Sequence, residues 1–441
     1  MPAPPSLNSA APFAEIASAV QTWSEPAWLT DSRKAAMARF DAAGLPTPRL
    51  EAWRTTPLPD LGTKPFSPGF ASTDNKAKAV TKPLTAGDVV SLVFVDGFHS
   101  VALSSSEAQW PKGVRLSAMS RLLAMSPNDL KPWLDAEAAS AGALHDLNTA
   151  AFRDGAYIVV DDGVSVPVEV RVVLVSTSTD QPVAQHTRNL VHLGKGSRLS
   201  LTLAVVGATE ARGFANNRTT ISMSESSHLE LIRIHESPVG VPHFDALFAT
   251  LGARSVLNDT VLQTGKSWTR SEIDIVLNGE RATADLGGVF VAQGTQVSDI
   301  HTVLSHEAPG VISRQNYRGL AADEARGVFH GQIKVESTAR GADATQSNKN
   351  MLLSKRAHVH STPGLEILTD DVKCKHGSAT GQIDQAQLFY LRSRGVDAHE
   401  ATRMLTRAFA SEIVSRVADV ETRTVVESQI AASLLQLGEA A

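Results

Sequence analysis

One cysteine in 441 residues, Cys374, leaves no room for a disulfide framework and none for an all-cysteine metal site within the chain. Rings are scarce as well: Phe, Trp and Tyr make up 5% of the sequence, so the core is aliphatic and not assembled around large aromatics. Neither sign of charge dominates, and a net charge of −5 with a pI near 6.3 supplies no positive field for nucleic acid. No run approaches the roughly 18 to 20 apolar residues of a membrane span. The N-terminal stretch Met1 to Leu7 lacks the basic start and apolar segment of a secretory signal. These absences point to a cytoplasmic protein in a reducing compartment, with neither membrane nor nucleic acid as partner. Two catalytic signatures are missing too. There is no G-x-x-x-x-G-K-[ST] phosphate loop and no G-x-S-x-G elbow. Gly194 to Ser197 reads as a turn between strands, so any ATP hydrolysis belongs to another subunit.

What the chain does have is a long series of short, alternating aliphatic runs. From Val89 to about Ile383 they recur between Gly, Asn, Asp and Ser, as in Val168 to Val175, Arg198 to Val206, His228 to Ile234 and Ser271 to Leu277. Short strands at such spacing mean a sandwich, barrel or solenoid. The length of the pattern and its Val, Leu, Ile and Ala content favour a solenoid, which grows along one axis by coils about 4.8 Å apart. Three regions follow. Residues 1–85 read as helices joined by Pro-containing loops, with helix formers over Ser32 to Phe40 and stop signals at Gly44 and Pro46. Within this region Pro48 to Thr56 looks like a partly exposed connection carrying one large aromatic, and Pro65 to Lys82 like a mobile linker. Residues 86–383 form the strand region, interrupted by a helical insertion near 117–152. Residues 384–441 turn helical: a first helix closed by Gly395, a second capped by Asp397 with Glu400 in its first turn, and a third over about Glu421 to Leu437. The second sets Ala401, Leu405, Ala408, Phe409, Ile413 and Val417 along one stripe, suited either to the chain's own core or to a docking partner.

The lone cysteine lies in the segment Asp370 to Gly377. On a strand, Cys374 and His376 share a face and present sulfur and nitrogen together. Two donors do not close a metal site, which takes four, or three and an open position. The residues alone therefore leave two readings: a site completed across a subunit interface, or a packed thiol beside an exposed histidine. A bulge at Gly377 would break the shared face. Other groups read more plainly. His358 and His360 form an exposed polar stripe without a third ligand, and His301 and His306 flank a turn-like stretch with no assignable partner. Asp370 and Asp371, adjacent on a strand, diverge and serve as caps and surface charge. Arg198, Arg233, Arg254, Arg270 and Lys334 lie in or beside strands, and most are expected to face solvent because inward charge is costly.

Asn350 to Ser354, Pro363 to Ile367, Asp370 to Gly377, Gly381 to Asp384 and Leu388 to Gly395, in that order, resemble the SufD family of iron–sulfur cluster assembly proteins. Glu51 to Thr56 is similar to that family's N-terminal E-x-W-[RK]-x-T element. The resemblance implies a mainly β fold, a right-handed parallel β-helix flanked by N-terminal and C-terminal helical regions. It implies a non-catalytic scaffold subunit that pairs with a SufB paralogue and docks SufC, an ABC-type ATPase, on its C-terminal helices. Ala401, Leu405 and Phe409 are the candidate docking residues. The complex of the three would serve cluster assembly and iron acquisition, and alone the chain could pair with a second copy. SufB is the member tied to cluster ligation by cysteine, so a single-cysteine chain fits SufD. His376 then corresponds to a histidine that faces SufB and is a candidate ligand of a transient, shared Fe–S cluster. Mixed Cys and His ligation of such clusters is chemically reasonable. No cluster would be held tightly by the chain alone, and Cys374 stays open between a supporting and a packing role. The competing expectation for this shape is a polysaccharide lyase or hydrolase, which needs a groove with paired carboxylates or a Lys/Arg base, often with calcium.

Overall fold

Alternating aliphatic residues fold into two long sheets stacked face to face. The computed structural model describes residues 11–59, 61, 65–69, 75–136, 142–417, 420, 423–424, 427–428 and 430–432. The nine-stranded sheet holds β3 (Val114–Ala118), β4 (Ala156–Val160), β6 (Val183–Leu193), β8 (Gly213–Met223), β10 (His243–Leu251), β12 (Thr269–Leu277), β14 (Val297–His306), β16 (Arg326–Val335) and β18 (His358–Ile367). The ten-stranded sheet holds β1 (Val89–Val95), β2 (Phe98–His99), β5 (Glu169–Ser176), β7 (Arg198–Gly207), β9 (His228–His235), β11 (Val256–Gln263), β13 (Thr283–Ala292), β15 (Ile312–Ala321), β17 (Ala342–Leu352) and β19 (Val372–Gln382). The chain crosses between sheets at almost every turn, giving about eight turns of parallel β-solenoid. Inward side chains stack in columns; Ala249, Ile275, Leu304, Ile333 and Leu365 form one across five coils. Each leucine or isoleucine buried this way contributes roughly 1.5–3 kcal/mol.

Helices cover the outer faces. On the nine-stranded sheet lie α1 (Ala14–Val20), α2 (Ala27–Ala43) and α6 (Ala143–Ala151), burying Phe13, Phe40, Leu144 and Leu147 against Phe214, Phe244 and Trp268. Gly44, at φ 65°, ends α2 in a conformation that favours glycine. The insertion between β3 and β4 supplies α6 together with α4 (Met119–Met125) and α5 (Pro127–Ala136). On the ten-stranded sheet, α3 (Asn75–Thr81) and α8 (Ala398–Val414) pack Ala77, Ala410, Ile413 and Val414 over Ile232, Val289 and Leu320. The remaining helix, α7 (Gln385–Ser393), packs mainly on α8.

Several expectations need correction. Pro65 to Lys82 is no linker in its described part: Phe66 is buried, Ser67 bridges to Val183, and the small Ala77 seats α3 on the sheet. The connection Pro48 to Thr56 is partly exposed as expected, and its one large aromatic, Trp53, anchors it, lying 4.1 Å from the Arg270 guanidinium and stacking on Trp268 and Phe244. Arg270 and Arg233 are buried, not solvent-facing, because carboxylates from adjacent strands neutralise them. Arg198, Arg254 and Lys334 are exposed as expected. His301 and His306 lie on one strand, β14, and do not flank a turn. His301 reaches Asp299 at 3.1 Å and stacks on His330, while His306 meets Ser313 at 2.9 Å. Asp370 and Asp371 precede β19 in a bend and are not strand residues. Ala408 is exposed and so leaves the α8 stripe. The third C-terminal helix falls largely outside the described residues, and those described between 420 and 432 are helical.

Burial of His186 has a pH consequence. Both ring nitrogens lack partners among the described residues, the ring packs near Phe13, and burial lowers its pKa to about 3. The unfolded chain's imidazole, near 6.5, takes up a proton that the folded one refuses. Stability from this residue is therefore complete above about pH 6.5 and falls by about 1.4 kcal/mol per unit as pH drops toward 3. His186→Leu should lose about 2–3 kcal/mol less than the parent between pH 7 and 4.5. Denaturant melts at the two pH values measure this, and equal losses in both proteins would refute it.

Candidate functional site at the open end of the solenoid

The two ends of the solenoid are built differently. At the N-terminal end each sheet is closed by a short antiparallel strand, β2 on β1 and β3 on β4. At the C-terminal end β18 and β19 are the outermost strands, each hydrogen-bonded to a sheet neighbour on one side only among the described residues. Such an edge is a template for pairing with another chain. Ile367 and Leu368 stand exposed at this end.

Cys374 and His376 lie on β19. Its register with β17 runs unbroken from Val372 opposite Ala342 to Gln382 opposite Leu352, so no bulge intervenes at Gly377 and the two side chains share the inward face. Val372 and Cys374 pack against the solenoid core, and Cys374 is half-buried. Burial pushes its thiol pKa up, an Ala344 backbone hydrogen bond offsets part of this, and Asp343 adds to the rise. His376 is exposed at the open end, opposite Gln346 in register. Gln346 is buried, and its Nε2 and Oε1 have no partners among the described residues. It occupies space that a side chain at Gly331 would fill, 2.2 Å from where a Cβ would sit. Asn348 receives a hydrogen bond from Ser361 Oγ at 2.7 Å, and Ser378 Oγ donates to Ser361 Oγ at 2.7 Å. The last coil thus has a polar interior ending at His376. Cys374 and His376 have no third His, Cys or carboxylate drawn in with them among the described residues. His358 and His360 are exposed on β18.

The C-terminal helices are anchored at one end and bare at the other. Glu412 of α8 receives hydrogen bonds from Arg318 and Asn316, and Arg416 pairs with Asp285 at 2.7 Å. The Arg318 bond, then the Asn316 bond, holds the Glu412 carboxyl below its usual range. Asp384 caps α7 by accepting from Ala386 N at 2.8 Å, and Asp397 caps α8 by accepting from Glu400 N at 2.9 Å. No residue of α7 is buried, and Phe389 and Tyr390 are 73% and 58% exposed. The three docking candidates separate here. Ala401 is fully buried and Phe409 packs against the solenoid beneath Arg318, whereas Leu405 lines a groove of about 400 Å³ with Tyr390 and Leu391.

Sequence reading missed the solenoid's charged interior. Arg233, His235, His243, Asp245 and Asp259 face inward at mid-length, all buried. Arg233 binds Asp259 at 2.7 and 2.9 Å and Asp245 at 3.0 Å. Their signal was parity: Arg233 and His235 continue the inward alternation of Leu229 and Leu231. On the outer face Arg270 joins Asp299 and Glu272. Carboxylate pairs so tied to arginine do not suit the glycoside chemistry of a polysaccharide enzyme.

Two family descriptions match the chain: "SUF system FeS cluster assembly, SufBD core domain" over residues 174–409 and "SufBD protein N-terminal region" over 11–172. Iron–sulfur cluster assembly protein SufD of Escherichia coli K12 is 31% identical over 381 residues, covering 85% of this chain and 86% of its own length. An iron–sulfur cluster assembly SufBD family protein of Synechocystis is 24% identical over 407 residues, covering 90% of each chain. A SufBD family protein of Mycobacterium leprae is 32% identical over 206 residues, 45% of this chain and 53% of that one. No helix among the described residues is long and apolar enough to cross a membrane.

Proposed function

This chain belongs to the SufBD family of iron–sulfur cluster assembly proteins, and from that premise we propose that it is the SufD-type scaffold subunit of a SufB–SufC–SufD complex. Its open C-terminal end pairs with a SufB-type paralogue. The observation that carries this reading is the contrast between the ends: strands close the sheets at the N-terminal end, while β18 and β19 leave both sheets ready for continuation. A paralogue with the same coil geometry would extend both, and a second copy of this chain would do so when the paralogue is absent. His376 then lies within the contact and supplies an imidazole to a nascent iron–sulfur cluster, completed by cysteine from the paralogue. The cluster is cargo, held transiently by both subunits and used in assembly together with iron acquisition. Cys374, half-buried with a raised pKa, mainly fills volume beneath it.

The helical pair α7 and α8 docks the SufC-type ATPase. Leu405, Phe389, Tyr390 and Met404 form the exposed apolar surface, and Ala401 and Phe409 support it from within the fold. Such a patch, centred on α7, which buries none of its own residues, marks an interaction site. Deleting residues from 385 onward should abolish co-elution with the ATPase while the far-UV circular dichroism of the strands persists. Phe389→Ser with Tyr390→Ser should weaken co-elution at least tenfold without truncation. Undiminished binding by both proteins would overturn the assignment.

A further inference from the structure

Halfway along the solenoid, where β9 passes to β10, three metal-binding side chains converge from the two sheets. His235, His243 and Asp245 are 1%, 0% and 5% exposed, and one donor atom from each lies within 4.8 Å of the others. Two imidazoles and a carboxylate are a donor set for divalent first-row metals. Bonds of about 2.0–2.2 Å would bring tetrahedral donors to about 3.4 Å apart, so modest side-chain rotation closes the site.

Each ligand is set up for that role by its surroundings. His243 Nε2 lies 3.0 Å from the Asn217 amide, and His243 Nδ1 has no partner among the described residues. The Thr187 hydroxyl donates to Asn217 Oδ1 at 2.6 Å, so the amide nitrogen faces His243 Nε2. With the amide turned the other way, its oxygen accepts from Nε2–H, its nitrogen donates to the Thr187 hydroxyl, and the Nδ1 lone pair is left for a metal. His235 Nδ1 is steadied by Ser271 Oγ at 3.3 Å, with Nε2 toward Asp245 at 3.5 Å. Each imidazole therefore offers one nitrogen inward while the other is held by a neighbouring coil, as in metal-ligating histidines. The contacts of Asp245 to Arg233 and His235 both use Oδ2, which leaves Oδ1 for a ligand.

Charge supplies the second, independent observation. Arg233 carries one positive charge against two carboxylates, Asp245 and Asp259, in a fully buried setting. Asp259 takes Nε and Nη2 of the guanidinium and Asp245 takes Nη1, so one cation serves two carboxylates and the cluster, apart from its imidazoles, carries a net charge of −1. Buried charge of this kind is paired or coordinates metal. We propose that His235, His243 and Asp245 bind one divalent first-row metal ion inside the solenoid, clamping its two sheets together. This site is separate from the open end and does not depend on the role given to His376.

The probe is Co²⁺, whose visible absorption reports nitrogen and oxygen ligation. The full chain is unfolded in guanidinium with EDTA, freed of metal, and refolded with or without Co²⁺. The expected result is about one Co²⁺ per chain, visible ligand-field bands, a melting temperature several degrees higher, and displacement by Zn²⁺. His243→Gln and His235→Gln should each lower uptake at least tenfold with an unchanged strand spectrum. The double variant His358→Gln/His360→Gln, which removes the exposed pair, should bind as the parent does. Parent uptake below a tenth of an equivalent, or His243→Gln binding equal to the parent, would overturn the proposal. Should the substituted chains not fold, the stoichiometry and melting shift of the parent decide: one ion with stabilisation supports it, and their absence refutes it.

Discussion

Arg270→Leu should destabilise the chain by about 3–5 kcal/mol, the cost of removing one partner from a buried charge network. Arg270 is 1% exposed and reaches Asp299 at 2.8 Å, Glu272 at 2.7 Å and the Ala52 carbonyl at 2.8 Å, with Trp53 flat against it. Burial works to raise the Asp299 pKa, and His301 and Arg270 outweigh it and hold the carboxyl low. Without the guanidinium, Asp299 and Glu272 face each other's field and the N-terminal segment loses its anchor. Stability held by a lowered carboxyl is complete above its unfolded pKa and lost as pH falls through the folded one. The gap between variant and parent should therefore narrow below about pH 4, where Asp299 of the unfolded chain takes up a proton that the parent's folded carboxyl still resists. Arg270→Lys should rescue little, because an ammonium cannot replace the planar fork or its stacking on Trp53. Denaturant titrations followed by tryptophan fluorescence measure both effects. A loss under about 1 kcal/mol would show that the Arg270 network does not hold the N-terminal segment.

That network shows where sequence reading reached and where it stopped. Period-two alternation revealed the solenoid, because columns such as Ala249, Ile275 and Leu304 need only the right residue type at every second position. The cost of burying charge, not the alternation, misled for Arg233 and Arg270. A single strand shows only a costly charge, whereas the neutralising partners, Asp259 and Asp299, arrive from the next coil some 26 to 29 residues later. Trp53 was hidden for the same reason: its neighbours Phe244 and Trp268 are nearly two hundred or more residues away. α3 escaped notice because Ala77 needs only a small side chain to seat it.

At the candidate site, the shared face of Cys374 and His376 was legible from their spacing, and the unbroken register with β17 confirms it. The openness of that end was not legible, since an unpaired edge is a property of the whole sheet order. The helix stripe was half legible. Spacing places Ala401 and Leu405 on neighbouring positions, but only the folded packing separates the buried Ala401 from Leu405 at the groove.

His376→Ala carries the second large effect. The imidazole is exposed and would add little to the fold or to the proposed contact through two strand edges, so the substituted chain should assemble normally. What it removes is a nitrogen donor at the end of the last coil, where no third ligand stands ready among the described residues. Cys374→Ser should matter less, because the thiol packs against Val372 and the core and burial keeps it protonated. The decisive measurement is iron and acid-labile sulfide per complex, for chains co-expressed with a SufB-type paralogue and a SufC-type ATPase. The account predicts an intact three-component complex with several-fold less cluster in His376→Ala than in the parent. An intact complex with undiminished iron and sulfide would contradict it.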